Sequence, residues 1–287
     1  MRDQAEKLRA KIEKLQSGAK TKTIAVVSGK GGVGKSNFSL NFALGLGKTG
    51  ASVLLFDMDI GMGNIDILMG VTSRHTIVDM FENDLELKDI IEKGAENLSY
   101  VAAGTGLSTI FKLETSKFEN FASQLEELVE DYQYIIFDMG AGITDDSMQF
   151  ILAANEIIVI VTPEPTSITD AYAAMKYIHL KESEMPFYLI INRAFSEKQA
   201  LSTSNRLGSA VKRFLEKDIV SLGDLPDDRI VSKAVSHQTP FLLYAPDSNV
   251  SRSMLTIVNR YTKSDFNQKK SASSYSFISK LRQYFSK

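Results

Sequence analysis

The sequence predicts an α/β fold, with a single doubly wound, mostly parallel sheet that has helices on both faces. Short apolar runs rich in Ile and Val recur along the chain, as in strands that are buried on both faces. Helical segments separate most of these runs, and strands that alternate with helices pair in parallel through right-handed crossovers. The chain has 287 residues, 44% of them hydrophobic, which suffices for one large domain with a sizeable core.

Residues 1–20 are predicted to form a helix and a linker ahead of the sheet. Leu8, Ile12 and Leu15 recur at helical spacing within residues 3–16, and Lys and Arg fill the opposite face. The polar stretch that follows, SGAKTK, has the composition of a linker. We therefore expect an amphipathic, basic helix that precedes the main domain.

Residues 21–262 contain the predicted sheet. We expect strands at 23–28, 52–57, 98–102, 134–138, 157–162 and 188–192, and a shorter strand near 220–222. A helix is predicted over residues 36–48, directly after the first strand and its loop. The carboxyl ends of parallel strands meet at one edge of a sheet, so polar residues that follow these strands are expected to line a ligand crevice there.

A phosphate-binding loop follows the first predicted strand. Residues Gly29–Ser36 read GKGGVGKS, which matches G-x-x-x-x-G-K-[ST] between a strand and a helix, as the motif requires. Backbone N–H groups of the loop and the helix N-terminus form an anion nest. Lys35 is expected between the β- and γ-phosphates, and the Ser36 hydroxyl on Mg²⁺. The predicted nucleotide-binding residues here are Gly29, Lys30, Gly31, Gly32, Val33, Gly34, Lys35, Ser36 and Asn37.

The second lysine of this loop, Lys30, carries a family resemblance. The pattern K-G-G-V-G-K-[ST] resembles the deviant Walker A motif of the MinD/ParA/SIMIBI family of ATPases. The resemblance implies ATP and Mg²⁺ as cofactors, slow ATP hydrolysis and a homodimer formed with ATP. It also implies that Lys35 serves its own nucleotide while Lys30 reaches the partner's, where a cation can neutralise developing charge. A solvated loop lysine is the alternative for Lys30.

Two aspartates follow the second predicted strand, in LLFDMDIGMGN. The segment resembles the family's switch I pattern, D-x-D-x-x-x-x-N. By that resemblance Asp57 lies close to the Mg²⁺ shell, Asp59 orients or activates the attacking water, and Asn64 lies near the partner subunit. The structural alternative is that one of the aspartates caps a helix.

A third aspartate ends the strand in YIIFDMGAGIT. Asp138 fits the Walker B role, in which a carboxylate holds Mg²⁺ through water. Gly140 and Gly142 are expected to bring backbone N–H groups near the γ-phosphate, so that the loop senses its loss. The D-x-G-A-G form is more similar to the flagellar members of the family than to the division-site members, which usually have proline at position 140.

The resemblance also implies an adenine pocket. Asn192 and Arg193 end a predicted strand in LIINRA, and Pro226 and Asp227 form the matching second wall in LGDLPDD. In the family the asparagine hydrogen-bonds the base, which favours ATP, and the chain shows no N-K-x-D guanine signature. A turn residue is the alternative for Asn192.

Residues 263–287 are predicted to be a linker followed by an amphipathic helix. Phe277, Ile278, Leu281 and Phe285 share one apolar helical face, and basic residues flank it. Such a helix is typical of attachment to anionic membrane lipids, and a dimer would present two of them. The alternative is that the apolar face packs on its own domain. Both hold if the helix docks in the monomer and leaves in the dimer.

Charge is distributed unevenly along the chain. Residues 1–22 carry a net charge of +4 and residues 263–287 one of +5, which leaves −11 for the rest. Basic ends favour contact with an anionic partner, although terminal lysines can also serve solubility alone. No run of about twenty apolar residues is present to span a bilayer. The chain has no cysteine, which excludes iron–sulfur and thiol chemistry and suits a reducing cytoplasm.

The N-terminal segment DQAEKLR resembles that of the flagellar members of the family. By that resemblance Gln4 and Leu8 contact the SRP-type GTPase FlhF and activate it, and the flagellar C-ring switch-complex proteins are further partners. The predicted function is an ATPase switch that regulates flagellar placement and number from the cytoplasm, peripherally associated with the inner face of the membrane. Division-site selection is the alternative. A DNA-partition ATPase is disfavoured, since the acidic middle of the chain makes DNA binding unlikely.

Overall fold

A computed structural model of the protein describes residues 21–59, 62–104, 115–265 and 274–285. Eight strands form one sheet in the order β3-β4-β2-β5-β1-β6-β7-β8. The strands are β1 Lys22–Val27, β2 Val53–Met58, β3 Glu92–Lys93, β4 Leu98–Val101, β5 Tyr134–Met139, β6 Glu156–Val161, β7 Phe187–Ala194 and β8 Val220–Pro226.

All neighbouring strands pair in parallel except β3, which runs antiparallel to β4. The predicted doubly wound, mostly parallel sheet is therefore confirmed. Each of the seven predicted strands overlaps an observed one. Strand β3 was not predicted, because a strand of two residues is too short to show a hydrophobic period.

Helices cover both faces of the sheet. They are α1 Lys35–Lys48, α2 Ile65–Met69, α3 Ile77–Glu82, α4 Thr115–Val129, α5 Asp145–Ala153, α6 Pro165–Lys181, α7 Glu197–Leu215, α8 Arg229–Ser236, α9 Phe241–Tyr244, α10 Asn249–Asp265 and α11 Ser274–Phe285, with a 3-10 turn at Leu87–Asp89. The core on one face packs against α3 to α7 and α11, and the core on the other against α1, α2 and α8 to α10. Strands buried on both sides explain the continuous apolar runs of the sequence.

The structure describes a helix in only one of the two predicted terminal segments. The predicted N-terminal helix and linker, residues 1–20, lie outside the described residues. The predicted C-terminal helix is present as α11, and α10 continues past residue 262, where the predicted main domain ends. Within the described part of the chain, none of the helices has both the length and the apolar character needed to cross a bilayer.

Candidate functional site

The site lies at the carboxyl ends of the central strands. Strands β2, β5 and β1 are adjacent, and their register places Asp57 directly beside Asp138. The loop that follows β1 leads into α1, so the phosphate loop lies next to both carboxylates. The predicted loop, magnesium and switch residues are therefore brought together at one edge of the sheet, as expected for a parallel α/β fold.

Two glycines fix the shape of the phosphate loop. Gly34 precedes α1 with a φ of 88°, in the left-handed region that favours glycine. A Cβ there would lie 2.4 Å from the Asn192 Nδ2 atom. A Cβ on Gly29 would lie 2.2 Å from the carbonyl carbon of Asp170 in α6. The loop is thus held close to two neighbouring elements, and only residues without a side chain fit at these positions.

Lys35 and Ser39 of α1 both bind the Asp138 carboxylate. The Lys35 Nζ atom lies 3.1 Å from Asp138 Oδ1, and the Ser39 hydroxyl donates to the same oxygen at 2.8 Å. All three side chains are buried. The other oxygen, Asp138 Oδ2, is buried and has no hydrogen-bond partner among the described residues. No sequence motif pointed to Ser39.

Asp57 organises the loop that follows β2. Its Oδ1 atom accepts a hydrogen bond from the Asp59 N–H at 3.1 Å, and its Oδ2 atom accepts from the N–H groups of Asn64 at 2.8 Å and Ile65 at 3.1 Å. Burial, and then the charge of Asp138, raise the pKa of Asp57 to about 7. A divalent cation at this carboxylate pair would favour the ionised forms, so the electrostatics suit Mg²⁺.

The predicted catalytic aspartate, Asp59, lies close to the loop that carries Gly140 and Gly142. A Cβ built on Gly140 would lie 3.3 Å from Asp59 Oδ1, so Gly140 leaves room for this half-buried carboxylate. Burial raises the pKa of Asp59, and the Lys35 ammonium opposes that shift. Gly142 has a φ of 77°, and the loop then ends at Thr144, whose side chain caps α5. Asp59, Gly140 and Gly142 therefore belong to one continuous rim of the site.

The second loop lysine turns away from the phosphate loop. The Lys30 ammonium forms an ion pair with Glu164 and a 3.1 Å hydrogen bond with the Thr166 hydroxyl, both at the start of α6. The ion pair lowers the pKa of Glu164. With about a third of its side chain exposed, Lys30 lies at the surface of the single chain and pairs with Glu164, not with the Asp138 carboxylate that Lys35 contacts.

A cavity of about 810 Å³ adjoins the phosphate loop, between the ends of β6, β7 and β8. The predicted residues Asn37, Asn192, Arg193, Pro226 and Asp227 all line it. Its volume falls in the usual range for small-molecule sites. Other lining residues were not predicted from the sequence, among them Thr162, Phe195 and Val231.

Asn192 has a contact that the sequence did not predict. Its Nδ2 atom donates a hydrogen bond to the Val33 carbonyl at 2.7 Å, which ties the cavity wall to the phosphate loop. Asp228, next to the predicted Asp227, caps α8 by accepting from the Ile230 N–H at 2.9 Å. Both contacts fix the walls of the cavity in which the family resemblance places the adenine base.

The residues present fit a magnesium–nucleotide complex. Three buried polar atoms around the site have no hydrogen-bond partner among the described residues: Asn64 Oδ1, Asp138 Oδ2 and Thr162 Oγ1. Buried polar atoms are normally satisfied, so such a group of three marks a place where a ligand supplies the missing contacts. Oxygen atoms near a loop of backbone N–H groups are the donor set that Mg²⁺ and phosphates prefer.

Three of the four predicted membrane-binding residues lie elsewhere and are buried. Phe277, Ile278 and Leu281 of α11 are at most 2% exposed and pack against α4 and α5. Outside this apolar face, Arg282 pairs with Glu119 at 3.2 Å and with Glu126 at 3.0 Å, both on α4. The predicted alternative, in which the helix packs on its own domain, is therefore the arrangement observed. The Phe285 side chain, Gln4 and Leu8 lie outside what the structure describes.

A stack of three rings joins the tail helix to the site. The Phe277 ring stacks on Phe137 with centroids 5.3 Å apart, and Phe137 stacks on Phe56 at 5.2 Å. Phe56 directly precedes Asp57 in β2, and Phe137 directly precedes Asp138 in β5. The tail helix thus contacts the strand position next to Asp138 directly, and the position next to Asp57 through the Phe137 ring.

Comparison with known sequences assigns the chain to a family. The family described as ParA: NUBPL iron-transfer P-loop NTPase matches residues 19–262. The antiactivator FleN of Pseudomonas aeruginosa is 33% identical over 237 residues, which cover 83% of this chain and 85% of FleN. The flagellum site-determining protein YlxH of Helicobacter pylori is 32% identical over 241 residues, which cover 82% of this chain and 79% of YlxH.

Division-site proteins are also similar. The septum site-determining protein MinD of Helicobacter pylori is 31% identical over 229 residues, which cover 76% of this chain and 83% of MinD. The structure of MinD complexed with Mg-ADP from Pyrococcus horikoshii superimposes with a TM-score of 0.71 over 87% of this chain and 99% of that protein, at 24% identity. The chain therefore belongs to the ParA family of P-loop NTPases, in the MinD-like FlhG (YlxH/FleN) group, and it is an ATP hydrolase.

Proposed function

We propose that this ATPase is a dimerising, membrane-cycling switch that regulates flagellar placement and number. The observation that carries the proposal is the different placement of the two lysine side chains of the phosphate loop. Lys35 is buried against Asp138 inside its own site, whereas Lys30 lies at the surface on Glu164. A surface cation at the rim of the phosphate loop is suited to a nucleotide held by a second copy of the chain. The name of the similar protein YlxH, a flagellum site-determining protein, supports a flagellar role.

The residues of the site have separate tasks in this proposal. The phosphate loop and Lys35 hold the phosphates of ATP. Ser36, Asp57 and Asp138 hold Mg²⁺, which supplies charge neutralisation when it is bound. Asp59 orients the attacking water, and Asn192 with Pro226 holds the base. Asn64, Gly140 and Gly142 lie on loops at the rim, where they respond to the γ-phosphate and to a partner copy.

The tail helix α11 supplies the membrane step. Phe277, Ile278 and Leu281 cannot contact lipid while they are buried on their own domain. Attachment therefore requires release of the helix, and dimerisation with ATP is the step that we assign to that release. Two released helices in one dimer bind a bilayer far more strongly than one, because the second attachment is intramolecular.

The N-terminal segment supplies the partner step. In this proposal Gln4 and Leu8, within residues 1–20, contact the SRP-type GTPase FlhF. The flagellar C-ring switch-complex proteins bind the surface of the ATPase domain. A polar amide on a short helix can order water or phosphate in a partner's site. This assignment rests on the resemblance of DQAEKLR, since residues 1–20 lie outside the described part of the chain.

The experiment that tests the proposal measures GTP hydrolysis by FlhF with and without a peptide of residues 1–20. A Gln4→Ala peptide is the matched control. We expect stimulation by the natural peptide and loss of stimulation with the control. The full chain and a chain that lacks residues 273–287 should then differ in vesicle flotation, with only the full chain floating with anionic vesicles in the presence of ATP.

Division-site selection is the second candidate function. The similarity to septum site-determining MinD, which matches most of the chain, favours it. The two candidates differ in the use of residues 1–20. If the peptide does not stimulate FlhF while the full chain still binds vesicles with ATP, the division-site function is preferred.

A further inference from the structure

The buried hydroxyl of Ser39 is a polar group in the site that no nucleotide motif uses. Ser39 lies on α1, one helical turn after Ser36, and its side chain is fully buried. Residues three apart share a helix face, so Ser36 and Ser39 point to the same side of α1. The Ser39 hydroxyl donates to Asp138 Oδ1 at 2.8 Å. One helix therefore carries both the predicted magnesium-binding hydroxyl and a hydroxyl that holds the neighbouring carboxylate.

The Asp138 carboxylate is held asymmetrically. Its Oδ1 atom receives both the Ser39 hydroxyl and the Lys35 ammonium, at 2.8 Å and 3.1 Å. Its Oδ2 atom is buried and receives no hydrogen bond from the described residues. An unsatisfied buried oxygen is costly and is rarely kept without a purpose. The two donors fix the rotation of the carboxylate so that Oδ2 is the oxygen left for a cation or its water.

The two donors differ in what happens when nucleotide binds. The phosphate-loop role of Lys35 requires its ammonium to contact phosphate oxygens as well, so its contact with Asp138 is then shared. The Ser39 hydroxyl has a single proton, which already points to Asp138, and its full burial separates it from the cavity. Ser39 is therefore the donor that keeps Asp138 oriented in the loaded site.

We propose that Ser39 is a positioning residue, which acts through Asp138 to set the affinity of the site for Mg²⁺ with nucleotide. The inference rests on the nucleotide site of the proposed function, but not on its flagellar or membrane steps. Loss of the hydroxyl should leave the carboxylate free to rotate, so that Mg²⁺ meets a less ordered ligand. Phosphate binding through the loop backbone and Lys35 does not involve Ser39 and should be preserved.

The test compares nucleotide binding by the full chain and by its Ser39→Ala variant across a Mg²⁺ titration, with fluorescent ATP as the probe. We expect the Mg²⁺ concentration at half-saturation to rise about tenfold, the usual effect of losing a hydrogen bond to a charged group. Affinity in EDTA should stay the same. Ser251→Ala is the matched control, because Ser251 is also fully buried in a helix but donates to the Ala245 and Phe241 carbonyls, at 2.8 Å and 3.1 Å, and not to a carboxylate.

A double variant separates positioning from a general structural effect. In an Asp138→Asn background, Ser39→Ala should cause no additional change in the Mg²⁺ titration, because the group through which it acts has already been altered. If Ser39→Ala shows no cooperative unfolding transition, Ser39→Cys is measured in its place. Cysteine has nearly the volume of serine but is a weak hydrogen-bond donor.

Two results would overturn the inference. One is an unchanged Mg²⁺ titration in a folded Ser39 variant, and the other is an equal loss of affinity in EDTA. Either result leaves the proposed function intact as long as the natural chain binds ATP. A natural chain that binds no ATP would contradict the proposed function together with this inference.

Discussion

Both ends of the sheet bury charged side chains, but they satisfy them differently. Where the strands begin, both oxygens of the Glu156 carboxylate lie 3.3 Å from the Lys22 ammonium, and Oε1 also accepts a hydrogen bond from the Tyr261 hydroxyl. Where the strands end, one Asp138 oxygen has no partner in the part of the chain that the structure describes, and Asp57 lies beside it with a raised pKa. The first cluster is complete in the chain alone, whereas the second is completed by a ligand.

This difference separates stability from function within one sheet. Burying a charge is costly unless it is paired, so a completed cluster offsets its own desolvation cost and an incomplete one leaves that cost uncompensated. Functional sites commonly retain such an unfavourable arrangement. The following changes test that separation, from the largest expected effect to the smallest.

Glu156→Ala should cause the largest loss of stability. The Lys22 ammonium, which is 8% exposed as a residue, would remain buried without the carboxylate that offsets its desolvation. We expect the free energy of unfolding to fall by about 3–5 kcal/mol. Urea denaturation measures it, with the exposed Glu184→Ala as control. ATP affinity of the folded protein should be unchanged, and a parallel loss of affinity would show that the two ends are not independent.

Lys35→Ala and Lys30→Ala should impair the nucleotide site, where the strands end, in two different ways. Without Lys35 we expect ATP affinity to fall roughly 100-fold, because contacts with two phosphates and with Asp138 are lost. Without Lys30 the affinity of the monomer should change less than about fivefold, since its contacts are exposed. Light scattering should nevertheless show no ATP-dependent dimer of Lys30→Ala. A normal dimer of that variant would contradict the role of Lys30 between subunits.

The raised pKa of Asp57 predicts a pH dependence of the nucleotide-free protein. With a pKa of about 7 in the folded chain and 3.8 as the ordinary value, the folded state binds the proton more tightly. Stability from this group is therefore greatest at low pH, falls as the pH rises towards 7 and levels off above it. We expect a loss of about 1 kcal/mol between about pH 6 and about pH 8.

Thermal unfolding at several pH values measures this slope. The difference between the natural chain and Asp57→Asn isolates the contribution of this carboxylate from that of the histidines. An identical slope in the two proteins would show that Asp57 is already ionised at neutral pH. Addition of Mg²⁺ and nucleotide should flatten the slope, because a cation favours the ionised carboxylates.

Two glycines at opposite ends of α1 should differ in effect, and Gly50→Ala should show the smallest effect of all these changes. Gly50 has a φ of 91° and open space around its Cβ position, so Gly50→Ala should cost only the left-handed strain, about 1 kcal/mol. Gly34 has a φ of 88° but would place its Cβ against Asn192. Gly34→Ala should therefore lower ATP affinity in addition to stability. If calorimetry gives the same ATP affinity for Gly34→Ala and for the natural chain, the phosphate loop tolerates the change.

The sequence predicted much of the fold and of the site because their signals are local. Buried strands appear as apolar runs, and the phosphate loop is a contiguous motif between a strand and a helix. Asp57 and Asp138 could be placed together because both end parallel strands. The contact of Asn192 with the Val33 carbonyl could not be predicted, because it joins residues far apart in the chain whose distance depends on the packing of β7.

The contact of Ser39 with Asp138 and the packing of α11 could not be predicted from the local sequence either, for a related reason. A serine in an apolar helix has no pattern that reveals its partner, and Ser39 meets Asp138 only after β1, β5 and α1 have packed. The apolar face of α11 was visible in the sequence, but amphipathicity does not distinguish a bilayer from a protein surface. The complementary surface on α4 and α5 decides this in the single chain.

The ring stack between the tail and the strands has a thermodynamic consequence. If ATP binding favours release of α11, then release of α11 must favour ATP binding by the same factor, since coupling between two sites is reciprocal. Phe277, Phe137 and Phe56 provide a contact through which the two equilibria can be linked. A bilayer that captures the helix then acts as a positive effector of nucleotide binding, and the membrane and the nucleotide each raise the occupancy of the other.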